Sequence, residues 1–244
     1  SSSPPPAQNQ AWIAACGIGP IHTLPFTREL AALGPAEFLA LLRLEFPGLA
    51  EIAVGRNFTF GKNRAGHAGT LPGLARSAGL AARIVPHVEH DGAPVSSTRI
   101  RAAVAAGDMP LARAMLGRPF ALAGEVVRGR AVGRTLGFPT ANLRPILPIR
   151  PAPGLYAARL HLPDGPPPGA AFVPDPADPA QAHFGPVVEI HVPGLDRDLY
   201  GQPLDISFTR RLRGHIPFPD AAAAAGQIAR DTRQALDADA RDNP

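Results

Sequence analysis

The sequence predicts an α/β region followed by an antiparallel β-barrel that ends in a C-terminal helix. Across residues 12–116, short apolar stretches alternate with helix-like stretches, which indicates an α/β layer with a parallel sheet. From Gly117 onward, short apolar stretches are separated by loops rich in proline and glycine, a pattern that favours an antiparallel barrel. An alanine-rich stretch across residues 220–238 predicts the closing helix.

The first half contains three helices and two strands that the pattern predicts individually. A helix is expected over Pro35–Leu44, because proline suits the first helical position and apolar residues recur along one face. Glu51–Gly55 is expected to form a buried strand, and Arg83–His87 a second short strand. Two short helices follow, for which the Ser97 hydroxyl and the Asp108 carboxylate are the expected N-caps.

The second half contains most of the predicted β-structure. Four strands are expected, at Ala121–Arg128, Leu155–His161, Val187–Val192 and Leu204–Arg210. The proline-rich stretch Pro163–Pro186 is expected to be a mobile loop. In the closing helix, Ile228, Thr232 and Leu236 recur at helical spacing and predict its buried face.

The change of pattern places a domain boundary at residues 117–121. A chain of 244 residues is long enough for two small domains. The expected organisation is a polar, proline-rich and disordered tail over residues 1–10, an α/β domain over residues 11–116 and a barrel domain over residues 117–244.

Composition excludes several classes of protein. No stretch of about 18 apolar residues is present, so a membrane span is not expected. The N-terminal residues do not resemble a secretory signal, and the single Cys16 excludes an internal disulfide, so a cytoplasmic protein is expected. The net charge is +4, but the arginines are scattered, which argues against nucleic-acid binding. Arg128, Arg130 and Arg134 form a local exception that suits a nucleoside triphosphate.

The segment Gly133–Asn142 carries the strongest indication of chemistry. Its glycines allow the backbone to approach a ligand closely, and Pro139 stiffens the turn. Thr140 and Asn142 are two residues apart, so on an extended segment their side chains point the same way. A hydroxyl and an amide carbonyl are oxygen ligands suited to Mg²⁺, which usually retains waters and substrate phosphates. The segment therefore predicts a site for phosphate and magnesium.

This segment, with Gly124–Gly129 before it, resembles the Gly-x-x-x-Gly…Pro-Thr-Ala-Asn signature of riboflavin kinases. The resemblance implies that Thr140 and Asn142 contact Mg–ATP and that the barrel phosphorylates riboflavin to FMN. The expected ATP- and phosphate-binding residues are Gly129, Gly133, Arg134, Gly137 and Pro139. Backbone N–H groups of such a loop can hold phosphate oxygens.

The reaction also needs a base for the accepting hydroxyl, and Glu189 fits that need. It lies in a predicted strand whose alternate residues Val188 and Ile190 would point into the core. With Asp198–Gly201 downstream, this strand resembles the Glu-x-His…Asp-Leu-Tyr-Gly signature of the same family, which implies that Glu189 is the catalytic base. His191 is expected to be structural.

The flavin site implied by the resemblance lies near the C-terminus. Arg213 and Phe218 match the region that closes over the isoalloxazine ring, for which apolar and aromatic surface is suitable. The chain departs from the family at residues 171–179, where a Gly-x-Arg-Pro-Thr-Phe-like loop has lost its Arg and Thr. This change is expected to affect flavin affinity more than phosphate transfer.

The first half resembles the adenylyltransferase half of bacterial bifunctional riboflavin kinase/FAD synthetases. Val54–Arg64 resembles a Gly-x-Asp-Phe-x-Phe-Gly-x-x-Arg motif, with Asn57 in place of Asp. Val95–Arg101 resembles an Ile-Ser-Ser-Thr-x-x-Arg motif, in which hydroxyls and helix N-terminal amides can bind a triphosphate. The residues expected at that triphosphate site are Ser96, Ser97, Thr98 and Arg101.

An early His-x-Gly-His motif, which such adenylyltransferases carry, is absent from this sequence. An incomplete Rossmann-like nucleotidyltransferase domain is therefore expected, and the chain is either a fragment of a longer bifunctional protein or carries a catalytically inactive remnant. FMN adenylyltransferase activity is expected only of a full-length form. The alternative to a riboflavin kinase is a non-catalytic flavin- or nucleotide-binding homologue.

Overall fold

The computed structural model describes residues 7–129, 132–146, 149–179, 181 and 187–242. The chain forms two compact units, the first ending at Pro94 and the second beginning at Val95. This break lies earlier than the boundary expected at residues 117–121. Ala103, Val104 and Met109, from the helices before Gly117, are buried in the same core as the barrel strands, which explains why those helices join the second unit.

The first unit contains short helices and strands around a small apolar core. Its elements are α1 (Ala7–Ala15), α2 (Arg28–Ala32), α3 (Pro35–Glu45), β1 (Glu51–Gly55), β2 (Thr59–Phe60), β3 (Gly66–His67), α4 (Leu71–Ser77), β4 (Ala81–Val85), β5 (Glu89–His90) and β6 (Ala93–Pro94). β1 pairs with β4 in parallel, as the α/β pattern predicts. The buried core contains Leu39, Phe60, Leu71, Ala75 and Leu80.

Two expectations for this unit are wrong. Strand β1 is not buried, because its residues alternate between half-buried and exposed. The disordered tail expected over residues 1–10 does not extend to Ala7, where α1 begins. Alanine and glutamine are good helix formers, which outweighs the polarity of the segment. Residues 1–6 lie outside the described part of the chain.

The second unit is a closed antiparallel barrel with helices before and after it. Its elements are α5 (Ser97–Ala106), α6 (Met109–Leu116), β7 (Phe120–Val127), α7 (Val132–Thr135), β8 (Thr140–Pro145), β9 (Gly154–His161), β10 (Pro168–Val173), β11 (Val188–His191), β12 (Pro203–Arg213) and α8 (Ala221–Asp242). Around the barrel the strands follow the order β10-β11-β8-β7-β12-β9, and β9 closes onto β10. No helix in the described part of the chain is long and apolar enough to cross a membrane.

The two short helices of this unit begin at side-chain caps. The Asp108 carboxylate accepts a hydrogen bond from the Leu111 N–H at 3.0 Å, as expected for α6. The cap of α5 is Ser96 rather than Ser97, because the Ser96 hydroxyl accepts from the Arg99 N–H at 3.2 Å. Both serines can cap a helix, so the sequence pattern alone leaves this start uncertain by one residue.

Two barrel strands are missing from the sequence prediction. β8 coincides with the Thr140–Asn142 motif, and β10 lies inside the stretch Pro163–Pro186, for which the proline content predicts a mobile loop. Residue Ala171 of β10 is buried in the barrel core, and Ala170 is buried under α8. A strand covered on both sides has no polar–apolar alternation, and flanking prolines conceal it further. Residues 180 and 182–186 of that stretch lie outside the described residues.

Helix α8 covers the outer face of β9, β10 and β12. Its most buried apolar residues are the small Ala235 and Ala238, whereas Ile228 and Leu236 are only half-buried. Three arginine–aspartate pairs tie the helix to the barrel strands: Arg159–Asp239, Arg210–Asp242 and Arg213–Asp231. The predicted apolar face is therefore only partly correct, since charged pairs form much of the contact.

Candidate active site

The candidate base and a candidate metal ligand are neighbours across two barrel strands. Glu189 of β11 lies directly opposite Asn142 of β8 in the antiparallel register. Directly opposed residues point to the same face of a sheet, with Cα atoms about 4.5–5.5 Å apart. The flanking residues Val188 and Ile190 are buried in the barrel core. Glu189 and Asn142 therefore lie together on the outer face of the barrel, and Glu189 is half-buried there.

This pair belongs to a longer row that follows the hydrogen-bonding direction around the barrel. The consecutive Cα partners are Val127, Asn142, Glu189, Phe172, Leu155 and Arg213. The row passes through the metal candidate, the base candidate and the flavin candidate Arg213 on the outer surface of the barrel. The sequence could not indicate this alignment, because the registers of five strand pairs determine it together.

Thr140 and His191 form the next pair along the same two strands. They share the outer face of Asn142 and Glu189, since residues two apart in a strand point the same way. His191 is buried, its Nδ1 lies 2.8 Å from the carbonyl oxygen of Pro139, and its ring meets Phe138 edge-on at 5.3 Å. These contacts hold the loop before Thr140 against β11, a structural role of the kind expected for this histidine.

The glycine loop packs directly on the candidate metal ligands. A Cβ atom on Gly129 would lie 2.5 Å from Asn142 Cγ and 2.6 Å from Asn142 Oδ1. A Cβ atom on Gly133 would collide with the carbonyl oxygen of Phe138 and lie 3.4 Å from the Thr140 hydroxyl. Gly137 adopts a φ of +84°, a conformation that glycine favours. These glycines therefore let the loop pack closely against the candidate metal ligands, whereas their close approach to a bound nucleotide stays a prediction.

A cavity of about 450 Å³ lies beside this loop. Gly129, Arg134, Pro139, Thr140 and Asn142 all contribute to its lining, so the structure brings most of the predicted phosphate and metal residues together. Arg134 is exposed at the end of α7, and Arg130 lies outside the described residues. The rest of the lining comes from Val126, Ala141, Ile190, Val192, Leu195, Asp196, Arg197, Asp198, Leu199 and Tyr200.

The donor set at this cavity fits Mg²⁺ bound together with nucleotide phosphates. Asn142 is 6% exposed, and its side-chain amide lies in the space that a Cβ at Gly129 would fill. Within the described residues there is no group of three or more His, Cys, Asp or Glu side chains that could hold a metal alone. Neutral oxygens from Thr140 and Asn142 would leave most coordination positions to phosphate and water.

The segment between β11 and β12 forms the opposite wall of the cavity. The N–H of Tyr200 donates to the Asp198 carboxylate at 3.0 Å, and the N–H of Gly201 donates to the Val126 carbonyl at 2.8 Å. The Arg128 guanidinium lies 5.1 Å from the centre of the Tyr200 ring. The Asp-Leu-Tyr-Gly motif thus connects this wall to β7, a role that its turn-like sequence did not reveal.

The flavin candidates lie at the end of β12 and in the loop that follows it. The guanidinium of Arg213 pairs with both carboxylate oxygens of Asp231 and donates to the Gly214 carbonyl at 2.8 Å. Phe218 is 38% exposed in the loop before α8. The rings of Phe172 and His215 lie 5.8 Å apart, and Phe172 is directly opposite Glu189. No sequence motif indicates Phe172, because its proximity to Glu189 depends on strand register.

The altered loop after β10 is held by a buried side chain. Gln181 is 3% exposed, and its amide donates to the Asp178 carboxylate at 2.6 Å. Its carbonyl accepts from the Asp175 N–H at 2.9 Å. The departure from the family pattern therefore produces an alternative, internally bonded loop in the part of this segment that the structure describes.

The candidate adenylyltransferase residues lie at the start of α5. Ser96, Ser97, Thr98 and Arg101 are exposed, and the Ser96 hydroxyl is used by the helix cap. The companion motif Val54–Arg64 lies in the first unit, where it runs from the end of β1 through β2 to the short 3-10 helix that follows β2. A triphosphate role for these residues stays a prediction.

Comparison with known proteins agrees with both halves of the chain. The family described as riboflavin kinase matches residues 116–238, and the family described as FAD synthetase matches residues 5–99. The bifunctional riboflavin kinase/FMN adenylyltransferase of Escherichia coli (strain K12) is 33% identical over 221 residues, which cover 90% of this chain and 70% of the relative. The protein of the same description from Pseudomonas fluorescens is 32% identical over 232 residues, which cover 94% of this chain and 73% of that relative.

A solved structure is also similar along most of the chain. It is described as a macrolide-efflux protein from Streptococcus pneumoniae, and it is 28% identical with a TM-score of 0.79. The match covers 94% of this chain and 74% of that structure. Together with the two family matches and the sequence relatives, this similarity supports the predicted fold in both halves. The chain therefore belongs to the bacterial family of bifunctional riboflavin kinase/FMN adenylyltransferases.

Proposed function

We propose that the barrel transfers the γ-phosphate of ATP to the 5′-hydroxyl of riboflavin, giving FMN and ADP, with Glu189 as the catalytic base. The observation that carries this assignment is the cross-strand pairing of Glu189 with Asn142 beside the 450 Å³ cavity. In support of this proposal, Glu189 is the cross-strand neighbour of the candidate metal ligand Asn142 on one side and of the aromatic residue Phe172 on the other. Family membership supports ATP and riboflavin as the substrates.

In this mechanism the chain supplies position and proton transfer. Glu189 orients the riboflavin hydroxyl and accepts its proton as the new O–P bond forms and the bond to ADP breaks. Backbone N–H groups of the loop from Gly129 to Gly137 hold phosphate oxygens, and Arg134 offsets their charge. Arg213 is held by Asp231 and with Phe218 would border the flavin ring.

We assign Mg²⁺ to the Thr140 hydroxyl and the Asn142 side-chain carbonyl. When bound, this ion would neutralise charge on the transferring phosphate and align it for attack. Asn142 is buried and packs against Gly129, which limits the space in which its amide can move when the nucleotide enters.

Residues 11–116 correspond to part of the adenylyltransferase domain and residues 117–244 to the kinase domain in this proposal. Helices α5 and α6 pack with the barrel, but α5 carries the candidate triphosphate residues Ser96, Ser97, Thr98 and Arg101. Family membership supports adenylylation of FMN as the reaction in which these residues would bind the triphosphate.

The first test measures products and nucleotide affinity together. Riboflavin and Mg–ATP are supplied to the chain, and FMN and FAD are separated chromatographically. Thr140→Val and Asn142→Ala each remove one of the oxygen atoms assigned to Mg²⁺. Each substitution should therefore raise the KM for Mg–ATP by about tenfold or more.

Thr23→Val is the matched control, because Thr23 is an exposed threonine in the first unit and lies outside every motif considered above. If both site variants keep the parent KM for Mg–ATP, the metal assignment is wrong. If the parent binds ATP and riboflavin but forms no FMN, the non-catalytic alternative replaces the kinase assignment.

A further inference from the structure

The 450 Å³ cavity that the proposed function assigns to ATP is called the nucleotide cavity below. Arg197 lies at this cavity, although no sequence motif indicates it. It belongs to the segment between β11 and β12, and it lines the same 450 Å³ cavity as Thr140 and Asn142. It also lines a second cavity of about 420 Å³ together with Asp164. Arg197 therefore stands in the wall between the nucleotide cavity and the turn that joins β9 to β10.

Asp164 holds the Arg197 guanidinium from outside the nucleotide cavity. Nη1 of Arg197 donates to Asp164 Oδ1 at 3.0 Å, and Nη2 donates to Oδ2 at 2.5 Å. These hydrogen bonds lower the pKa of the Asp164 carboxyl, so the pair stays charged at neutral pH. The side chains are 51% and 56% exposed, and an ion pair so accessible to water contributes little to stability. The effect of this ion pair is instead to fix the direction in which the Arg197 guanidinium points.

The pairing leaves part of the guanidinium available to a second partner. Arginine has five N–H donors, and a two-point contact with a carboxylate uses only two of them. The edge formed by Nε and Nη2 remains, and this planar edge matches two oxygens of a phosphate group. An arginine held by a carboxylate on one side can therefore present a preset donor pair to a phosphate on the other.

The charges around the cavity make this arginine important for a polyanion. Among the described residues, the charged side chains in its lining are Arg134, Arg197, Asp196 and Asp198. The two arginines balance the two aspartates, so the charged side chains of the lining sum to zero. Without Arg197, the charge of Arg134 alone would remain against the two negative charges of Asp196 and Asp198. A nucleoside triphosphate would then enter a cavity of the same sign as itself.

We propose that Arg197 binds a phosphate group of the nucleotide substrate and that Asp164 is the residue that positions it. This inference rests on the proposed kinase function and adds a phosphate ligand from the wall opposite the glycine loop. Asp164 acts only through Arg197, because it lines the neighbouring cavity and not the nucleotide cavity.

The test separates nucleotide binding from the rest of the reaction. Arg197→Gln should raise the KM for Mg–ATP by about 10- to 100-fold, the usual effect of losing a hydrogen bond to a charged group. The KM for riboflavin should change less than about twofold, since the residue lies on the nucleotide side. Asp164→Asn keeps the arginine charge but loses the clamp, so the KM for Mg–ATP should rise by a smaller factor, and Asp164→Glu should restore it.

Arg83→Gln is the matched control. Arg83 makes an exposed two-point pair with Glu51 in the first unit, at 2.9 and 3.2 Å, and it should keep the parent kinetics. An unchanged KM for Mg–ATP in Arg197→Gln, or an equal rise in the KM for riboflavin, would overturn the phosphate contact. An unchanged or lower KM in Asp164→Asn would overturn the positioning role.

Calorimetric titration with Mg–ATP alone keeps this inference distinct from the kinase assignment. A parent chain that binds ATP but forms no FMN refutes the kinase function, while the loss of ATP affinity in Arg197→Gln still supports the phosphate contact. A parent chain that does not bind ATP refutes both.

Discussion

At the residue scale, the candidate site depends on glycines as much as on the polar side chains they accompany. Gly129 leaves the space in which the Asn142 amide lies, and Gly133 leaves space beside Phe138 and Thr140. A side chain at either position would need to displace backbone or a candidate metal ligand. The two glycines therefore define the positions of the oxygens that are assigned to Mg²⁺.

Gly129→Ala should weaken nucleotide binding without removing any polar group. The new methyl would fall 2.6 Å from Asn142 Oδ1, so the amide must move away from its present position. We expect the KM for Mg–ATP to rise by about tenfold, comparable with the loss of one charge-assisted hydrogen bond. Steady-state kinetics with varied Mg–ATP at saturating riboflavin would measure this.

Gly226→Ala is the control for glycine substitution. Gly226 lies within α8, and a methyl group at this position would have Arg230 Nη1 as its nearest neighbour, at 3.7 Å, an ordinary contact. This variant should keep the parent KM and gain about 0.5–1 kcal/mol in unfolding free energy, because alanine favours a helix over glycine. A Gly129→Ala variant with parent-like kinetics would show that Asn142 does not need its present position.

The sequence predicted the types of the site residues but not all of their neighbours. Thr140 and Asn142 could be chosen because their chemistry and spacing suit a site for phosphate and magnesium, whereas the choice of Glu189 depended mainly on the resemblance to the riboflavin kinase signature. The proximity of Phe172 to Glu189, and of Arg197 to the nucleotide cavity, could not be predicted. Both depend on strand registers and on the course of a loop, which local patterns do not determine.

At the scale of elements, charged pairs attach α8 to the barrel. Asp231 is 3% exposed in its side chain and pairs with Arg213, which is 19% exposed. The sequence pattern predicted an apolar contact through Ile228 and Leu236, because hydrophobic spacing is the signal that a helix gives. Hydrophobic spacing cannot indicate aspartates that face inward, because the arginines with which they pair lie on strands far away in the chain.

Asp231→Ala should destabilise the second unit by about 3 kcal/mol, because it leaves the guanidinium of Arg213 in a partly buried place without its partner. Urea denaturation followed by far-ultraviolet circular dichroism would measure the change in unfolding free energy. Arg83→Gln, which breaks an exposed pair, should cost less than about 1 kcal/mol.

The double variant Arg213→Met/Asp231→Leu separates charge burial from loss of packing. It buries no isolated charge, so it should recover most of the stability that Asp231→Ala loses. A double variant as unstable as Asp231→Ala would mean that the helix contact depends on the hydrogen bonds themselves.

At the scale of the whole molecule, the order of an α/β region and an antiparallel barrel was predictable from the sequence. The alternation of helices and strands, and its replacement by proline- and glycine-rich turns after Gly117, carried that information. The place where the compact units divide, after Pro94, was not predictable in the same way. Helices α5 and α6 look like a continuation of the α/β pattern, but their buried faces pack with the barrel strands.

The measurement that tests the central claim most directly is the rate of FMN formation by Glu189→Gln. This substitution keeps the size of the side chain but removes its basicity, so kcat should fall by about 10²- to 10⁴-fold while the KM for Mg–ATP stays within about twofold. Glu89→Gln is the control, since Glu89 is an exposed carboxylate on β5 in the first unit, and it should keep the parent kcat. A Glu189→Gln variant that forms FMN at the parent rate would contradict the assignment of Glu189 as the catalytic base.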